Sequence, residues 1–335
     1  MKLQSNGQVT VESQQDFALP FFRLAFRPFF WLGSLFGAVS IAVWTLLFTG
    51  LIEFQPYGGS YFWHVHEMLF GFTTAIIVGF LLTAVQTWTG VPSIKGVPLI
   101  FLVLTWLFAR VSIAFHHIGF ELYTAVIDVL FLPLAAFALA IPIIKAKLWR
   151  NLFFVPILLA MAAVNTFSHL AVMGKIAISF ITISHVMVLL VTLVMCIMGG
   201  RVFPMFTANG TGTPRVPPIY WIEKLAIASV LLSVLISSDI TSTPKWLDAF
   251  IYGFAGLVNL TRAIRWRVWV TLNTPLVWSL HLSYWSICIG LIMLSLAELS
   301  VLSNPSLAFH AITVGGIGFM VLSMISRVSL GHTGR

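Results

Sequence analysis

Charge is what this sequence has least of. Of its 335 residues, 18 are Lys or Arg and 10 are Asp or Glu, 8% in all, against about 25% in an ordinary soluble domain. Hydrophobic residues make up 59%, and the mean hydropathy is +1.00. A water-soluble fold of this size cannot hide that much apolar surface. Cysteine is also scarce: Cys196 and Cys288 are the only two, and both sit in apolar runs. That excludes a disulfide framework, a CxxC motif and a thiolate metal site. With so few carboxylates, oxygen cages for calcium or magnesium are disfavoured. The net charge of +8 does not signal nucleic-acid binding in so apolar a chain; topology must account for it. The polar segment before Phe21 has no apolar stretch followed by a small-residue cleavage site, so it does not read as a signal peptide.

Long apolar runs are what the sequence has in abundance. A bilayer core of about 30 Å takes about 20 helical residues. That ruler fits ten segments: 28–51, 63–86, 97–115, 121–144, 152–173, 176–198, 219–237, 245–263, 275–297 and 305–327. Lipid leaves no partner for an unpaired backbone group, so these are helices. The expected fold is an all-α, polytopic transmembrane bundle of about ten spans with a cytoplasmic N-terminus. Residues 1–27 form a polar segment ending in an aromatic and arginine-bearing interfacial lead-in, and residues 28–335 the membrane domain. In that arrangement fifteen of the eighteen basic residues lie inside, Lys175 and Lys245 outside, and Arg110 within the third span. So uneven a distribution is what the positive-inside rule demands. The stretch Gly199–Pro218, containing GGRVFPMFTANG, reads as the longest inner loop because it is rich in turn residues.

Nine histidines are the unexpected feature of so apolar a chain. Six fall in or at the edge of spans: His64, His66, His169, His185, His281 and His310. All but His281 belong to the outer half. Ionisable residues inside a span are functional hypotheses by default. Neutral imidazole suits haem iron, copper and zinc, and an all-histidine set favours haem or copper. On a regular helix His64 and His66 point to different faces. They therefore share one metal only if the helix starts at or after His64, and otherwise serve separate sites. Glu67 is a candidate partner that orients an imidazole, or a proton relay. Asn165 lies one turn before His169, in reach of it or of a ligand. Arg110 and Asp128 fall at matching depth on adjacent antiparallel helices and read as a structural ion pair. Arg201 is a candidate for an anion such as a haem propionate.

Four stretches carry a resemblance when taken in order: AFRPFF (Ala25–Phe30), WHVHEMLFGF (Trp63–Phe72) with GFLLTAVQTWTG (Gly79–Gly90), GGRVFPMFTANG (Gly199–Gly210), and HAITVGGIGFM with RVSLGHTGR (His310–Met320, Arg327–Arg335). On these the chain resembles the NnrS family of bacterial inner-membrane proteins, from about Ala25 to Arg335. The resemblance implies haem and copper binding and a role in the response to nitric oxide or nitrosative stress. The family pattern falls on His64, His66, Glu67, His169, His185, Arg201, His281, His310, Arg327 and His332. It places Arg327 beside Arg201 as a candidate for an anion or a propionate. There is one departure: family members usually have about twelve spans, and this chain ends after ten.

Three functions follow from these residues. The first is an integral membrane haem- and copper-binding protein that protects against nitric oxide, its metals held by the span histidines. The bilayer and a small diatomic gas are then its partners. The second is an oxidoreductase that reduces NO or oxygen, which needs an electron donor and a proton path. The third is a transporter for a small solute or metal ion with a histidine relay, though the chain shows no clear inverted repeat.

Overall fold

The structure is a computed structural model. It describes the backbone of residues 2–3, 9–10, 19–239 and 242–332, and side chains at 19–239 and 242–327. The polar N-terminal segment expected at residues 1–27 therefore lies largely outside the described residues, as does the His332 side chain. Apart from a two-residue ladder pairing Lys2–Leu3 with Val9–Thr10, every regular element described is helical.

Among the described residues, ten long helices follow in chain order. They are α1 (Phe26–Phe48), α2 (Gly59–Thr89), α3 (Val97–Ala114), α4 (Glu121–Lys145), α5 (Phe154–Val172), α6 (Phe180–Thr211), α7 (Tyr220–Ile236), α8 (Lys245–Arg265), α9 (Pro275–Glu298) and α10 (Pro305–Arg327). Eight are long and apolar enough to cross a membrane. The other two are α7, of 17 residues, and α8, which carries Lys245, Asp248, Arg262 and Arg265. These two pack on each other, and α8 packs on α9. The chain is thus a multi-pass membrane protein. We call the end at which α1 begins the basic face, since Arg23, Arg27, Lys95, Lys145 and Arg150 gather there.

Close approach rests on small residues, as in other membrane bundles. A Cβ on Gly37 of α1 would come within 2.8 Å of the Phe72 ring on α2. Outward-facing apolar side chains are plentiful, among them Phe101 and Phe108 on α3 and Leu231 and Leu235 on α7, as a lipid-facing surface requires.

The expected inner loop at Gly199–Pro218 needs correction. Helix α6 runs on through it to Thr211, with Pro204 inside the helix. Gly199 and Gly200 serve packing, while Gly212, in the left-handed region (φ 66°), ends the helix. A Cβ on Gly199 would stand 2.9 Å from the Tyr284 ring, and one on Gly200 would stand 2.6 Å from Glu223 Oε2. These positions make room for a buried network on the C-terminal helices. Arg262 pairs with Glu223 and donates to the Cys196 carbonyl (2.8 Å) and to Tyr284 Oη (3.1 Å). Tyr284 Oη in turn donates to Asn259 Oδ1 at 2.6 Å. Arg262 is 2% exposed, because a carboxylate and two oxygens meet it inside the bundle.

Candidate metal centre

The residues that come together lie on α2, α3, α4 and α5. Helix α2 is regular from Gly59 to His66, and then widens into a π-helical segment, Glu67–Thr73. Such segments recur at functional sites. The widened turn needs other donors for its carbonyls, and side chains supply them: Thr73 Oγ1 to Met68 O (2.7 Å), Thr74 Oγ1 to Phe70 O, and Trp106 Nε1 of α3 to Gly71 O (2.9 Å). Gly71 is where the segment leaves no space. A Cβ there would meet Arg110 Nη1 at 2.7 Å, Glu67 Oε2 at 2.8 Å and the Phe36 ring at 2.8 Å.

Glu67, the first residue of the widened segment, joins the same cluster as His66. The helix begins well before His64, so the two histidines diverge as the face arithmetic of a regular helix requires. His66 and Glu67 are both 0% exposed. Around them stand Arg110, Asp128, Asn165 and His169, all buried. Arg110 Nη1 donates to both oxygens of Glu67, at 3.0 and 2.8 Å, and its Nη2 pairs with Asp128 Oδ1. The Arg110–Asp128 contact is therefore part of a three-membered ion network. Asn165 Nδ2 donates to Asp128 Oδ2 at 2.6 Å, while its Oδ1 stands 2.9 Å from His66 Nε2; it touches His66 rather than His169. Two carboxylates against one guanidinium leave a formal charge of −1 when both imidazoles are neutral.

The two imidazoles are held alike. His66 Nδ1 faces Glu67 Oε1 at 3.1 Å, and His169 Nδ1 faces Tyr57 Oη at 3.2 Å. Each Nε2 then points at Asp128 Oδ2, from 3.2 Å for His66 and 3.0 Å for His169. The three ligand atoms lie within 4.8 Å of one another. The two nitrogen–oxygen edges, 3.2 and 3.0 Å, approach the roughly 3.3 Å edge of a tetrahedron with metal–nitrogen bonds of about 2.0–2.1 Å. Both nitrogens of His66 face oxygen acceptors, so they are satisfied by an imidazolium or by a cation seated at Nε2 with Nδ1–H on Glu67. The latter is the carboxylate–histidine–metal arrangement that fixes the ligating tautomer. Tyr57, in the loop before α2, holds its proton tightly: burial, and then the charge of Glu121, push its phenol up to about 12.

The other span histidines are elsewhere. His64 stacks on Trp44 of α1, with centroids 4.3 Å apart, and its buried Nδ1 has no partner among the described residues. It lies within electrostatic reach of His310. His310 is exposed, with Nδ1 2.8 Å from Ser306 O, at the start of a second π-helical segment, Ala311–Gly318. His185 stacks on Phe309 at 3.7 Å. These three share the face opposite the basic one. His281 stands apart and fully buried; its Nε2 meets Thr207 Oγ1 at 2.8 Å and its Nδ1 has no partner among the described residues. Arg201 donates to Asn151 Oδ1 at 3.0 Å among the rings of Trp88, Phe153 and Phe154. Arg327 lies over the Phe206 ring at 3.8 Å. Among the described residues only His66, Asp128 and His169 converge as three potential ligands. Sequence reasoning missed Asp128 as their meeting point and Tyr57 altogether; the i, i+4 spacing of Asn165 and His169 on one face was the signal pointing to this helix.

The bundle and this centre define a class: a polytopic membrane protein with a buried histidine–carboxylate cluster suited to a metal ion. The family comparison narrows it, since the model described as NnrS protein matches residues 20–335. The chain belongs to the NnrS family. No curated protein and no solved structure shows a significant match to it.

Proposed function

We propose that this is an integral membrane haem- and copper-binding protein of the nitric oxide response in the bacterial inner membrane. The observation that carries the metal reading is the convergence of His66 Nε2, His169 Nε2 and Asp128 Oδ2, with each Nδ1 anchored by Glu67 or Tyr57. Imidazole and carboxylate suit copper, and the excess negative charge of the cluster favours a cation. His66, His169 and Asp128 would hold the ion, Glu67 and Asn165 orient His66, and Arg110 holds both carboxylates in place. For haem the donor chemistry fits the orphaned imidazole nitrogens: His64 and His281 each keep a buried Nδ1 without a partner. His185 and His310 lie near the former. Reduced haem binds NO directly, and small apolar gases dissolve in the bilayer that surrounds these helices. The chain's own contribution is to exclude water from the centre and fix which nitrogen of each imidazole is free.

Optical spectra of detergent-purified protein, oxidised, reduced and then exposed to NO, with metal analysis on the same sample, test this reading. The expected result is a Soret band shifted by NO and about one copper per chain. His66→Ala with His169→Ala should remove the copper and leave the His64Ala-sensitive or His281Ala-sensitive haem signal in place. A colourless, metal-free but folded protein would overturn the proposal.

A further inference from the structure

The metal centre lies near the end of the bundle opposite the basic face. His66 comes about two turns after α2 begins at Gly59, Asp128 about two turns after α4 begins at Glu121, and His169 about one turn before α5 ends at Val172. None of the three is more than 2% exposed, so an ion arriving from that end must pass what covers them. Residues 49–58 and 115–120, the loops before α2 and α4, contain no Lys or Arg. Glu53 lies in the first and Glu121 directly follows the second. A cation therefore meets carboxylates and no fixed positive charge in either loop, the condition under which a surface draws ions of one sign.

Tyr57 joins the two levels. It is buried, and its backbone N–H donates to Ile113 O at 3.0 Å, which ties its loop to the end of α3. Its ring contacts two histidines of different standing. One is His169 of the centre, with ring centroids 5.4 Å apart and Tyr57 Oη 3.2 Å from Nδ1. The other is His116 of the α3–α4 loop, which is only partly buried and meets the ring edge-on at 5.2 Å. His116 Nε2 stands 3.6 Å from Glu121 Oε1, and that oxygen also accepts from the Gly119 N–H at 3.1 Å. The first separation is close to the roughly 3.3 Å edge between two ligands of one tetrahedral ion. His116 Nδ1 has no partner among the described residues. His117, the next imidazole, is exposed.

We propose that His116 and Glu121 form an entrance site, which takes a copper ion from the solution at this face and passes it by Tyr57 to the buried centre. The inference rests on the metal reading of that centre. An imidazole nitrogen and a carboxylate oxygen are the ligand types the centre itself offers, so the ion exchanges like for like. Two protein ligands leave the rest of the ion's shell to water, which suits transfer rather than storage. Tyr57 touches both the entrance and the centre, so its side chain is the element that must turn aside for the ion to pass.

The test is the rate of copper loading set against the copper held at equilibrium. The full chain, stripped of metal and held in lipid nanodiscs, is mixed with cupric ion; uptake is stopped at intervals with a chelator and measured by metal analysis. His116→Ala and Glu121→Gln should each slow loading roughly tenfold, the low end of the gain that a charge-lined entrance gives to association. Both should reach the wild-type copper content in the end, which also shows that they fold. His117→Ala removes an exposed imidazole from the same loop and should load at the wild-type rate. Wild-type rates in both His116→Ala and Glu121→Gln would overturn the entrance while leaving the centre standing. Loss of copper at equilibrium in both would overturn it too, by making the pair part of the centre. So would slowing by His117→Ala equal to that of His116→Ala, since the alignment with Tyr57 would then have no role. A wild-type chain that takes up no copper would overturn the centre and the entrance together.

Discussion

Replacing Arg110 by Gln tests the electrostatics of the buried centre most directly. In the folded chain the guanidinium neutralises parts of two carboxylates at once, through Glu67 at 2.8 and 3.0 Å and through Asp128. Removing it leaves both carboxylates buried with no fixed cation between them. Breaking a buried pair by deleting one partner costs about 3–5 kcal/mol. Asp128→Asn is the contrasting change. It leaves Glu67 and Arg110 as a compensated pair, and the amide oxygen still accepts one hydrogen bond. The loss should then be about 1–3 kcal/mol, the range for leaving buried donors without a partner. The expected order is therefore Arg110→Gln well above Asp128→Asn, read from reversible unfolding of the detergent-solubilised protein in mixed micelles. A metal ion at Nε2 of the two histidines can take over part of the guanidinium's work. Added copper should thus recover more stability in Arg110→Gln than in wild type, and little in Asp128→Asn, which lacks a ligand. If Asp128→Asn proved the more damaging change, or copper recovered neither, the centre would be charge-balanced by a protonated histidine rather than poised for a cation.

Gly71→Ala should destabilise the fold although it adds one methyl group, because the new Cβ meets Arg110, Glu67 and Phe36 inside 3.0 Å; the cost of such overpacking is about 1–3 kcal/mol, read in the same unfolding assay. Glu67→Gln should lower copper affinity about 10–100-fold without abolishing it, as loss of a group orienting a ligating histidine does, measured by competition with a chelator. Tyr57 gives a pH signature. Its phenol is raised in the folded chain to about 12, so its contribution is complete below about pH 10, the usual tyrosine value, and is lost as pH rises toward 12. Tyr57→Phe should flatten the stability profile in that window, and an unchanged slope would show that the phenol is not held as described.

Composition and run length determined the architecture. Apolar stretches near the length that crosses a bilayer can only be helices, because lipid offers no other partner to the backbone, and eight of the ten helices meet that measure. That logic is local, so it is legible residue by residue. The histidines also announced themselves, since imidazole in an apolar run has few bland explanations. Their grouping did not. His66 meets His169 across 102 intervening positions, and Asp128 stands between them, because α2, α4 and α5 pack side by side; no periodicity within one helix records which neighbours it will have. The π-helical turn at Glu67–Thr73 changes which residues share a face; threonine hydroxyls of its own helix and Trp106 Nε1 of α3 donate to its carbonyls, and the last of these is a tertiary contact. The glycines of Gly199–Gly200 misled for the same reason. Their sequence context signals a turn, and only the approach of Arg262 and Tyr284 from other helices shows that they are contact surfaces in the middle of α6. Local chemistry wrote the spans into the chain; the pairing of buried charges, which depends on distances between helices, was decided by the packed bundle alone.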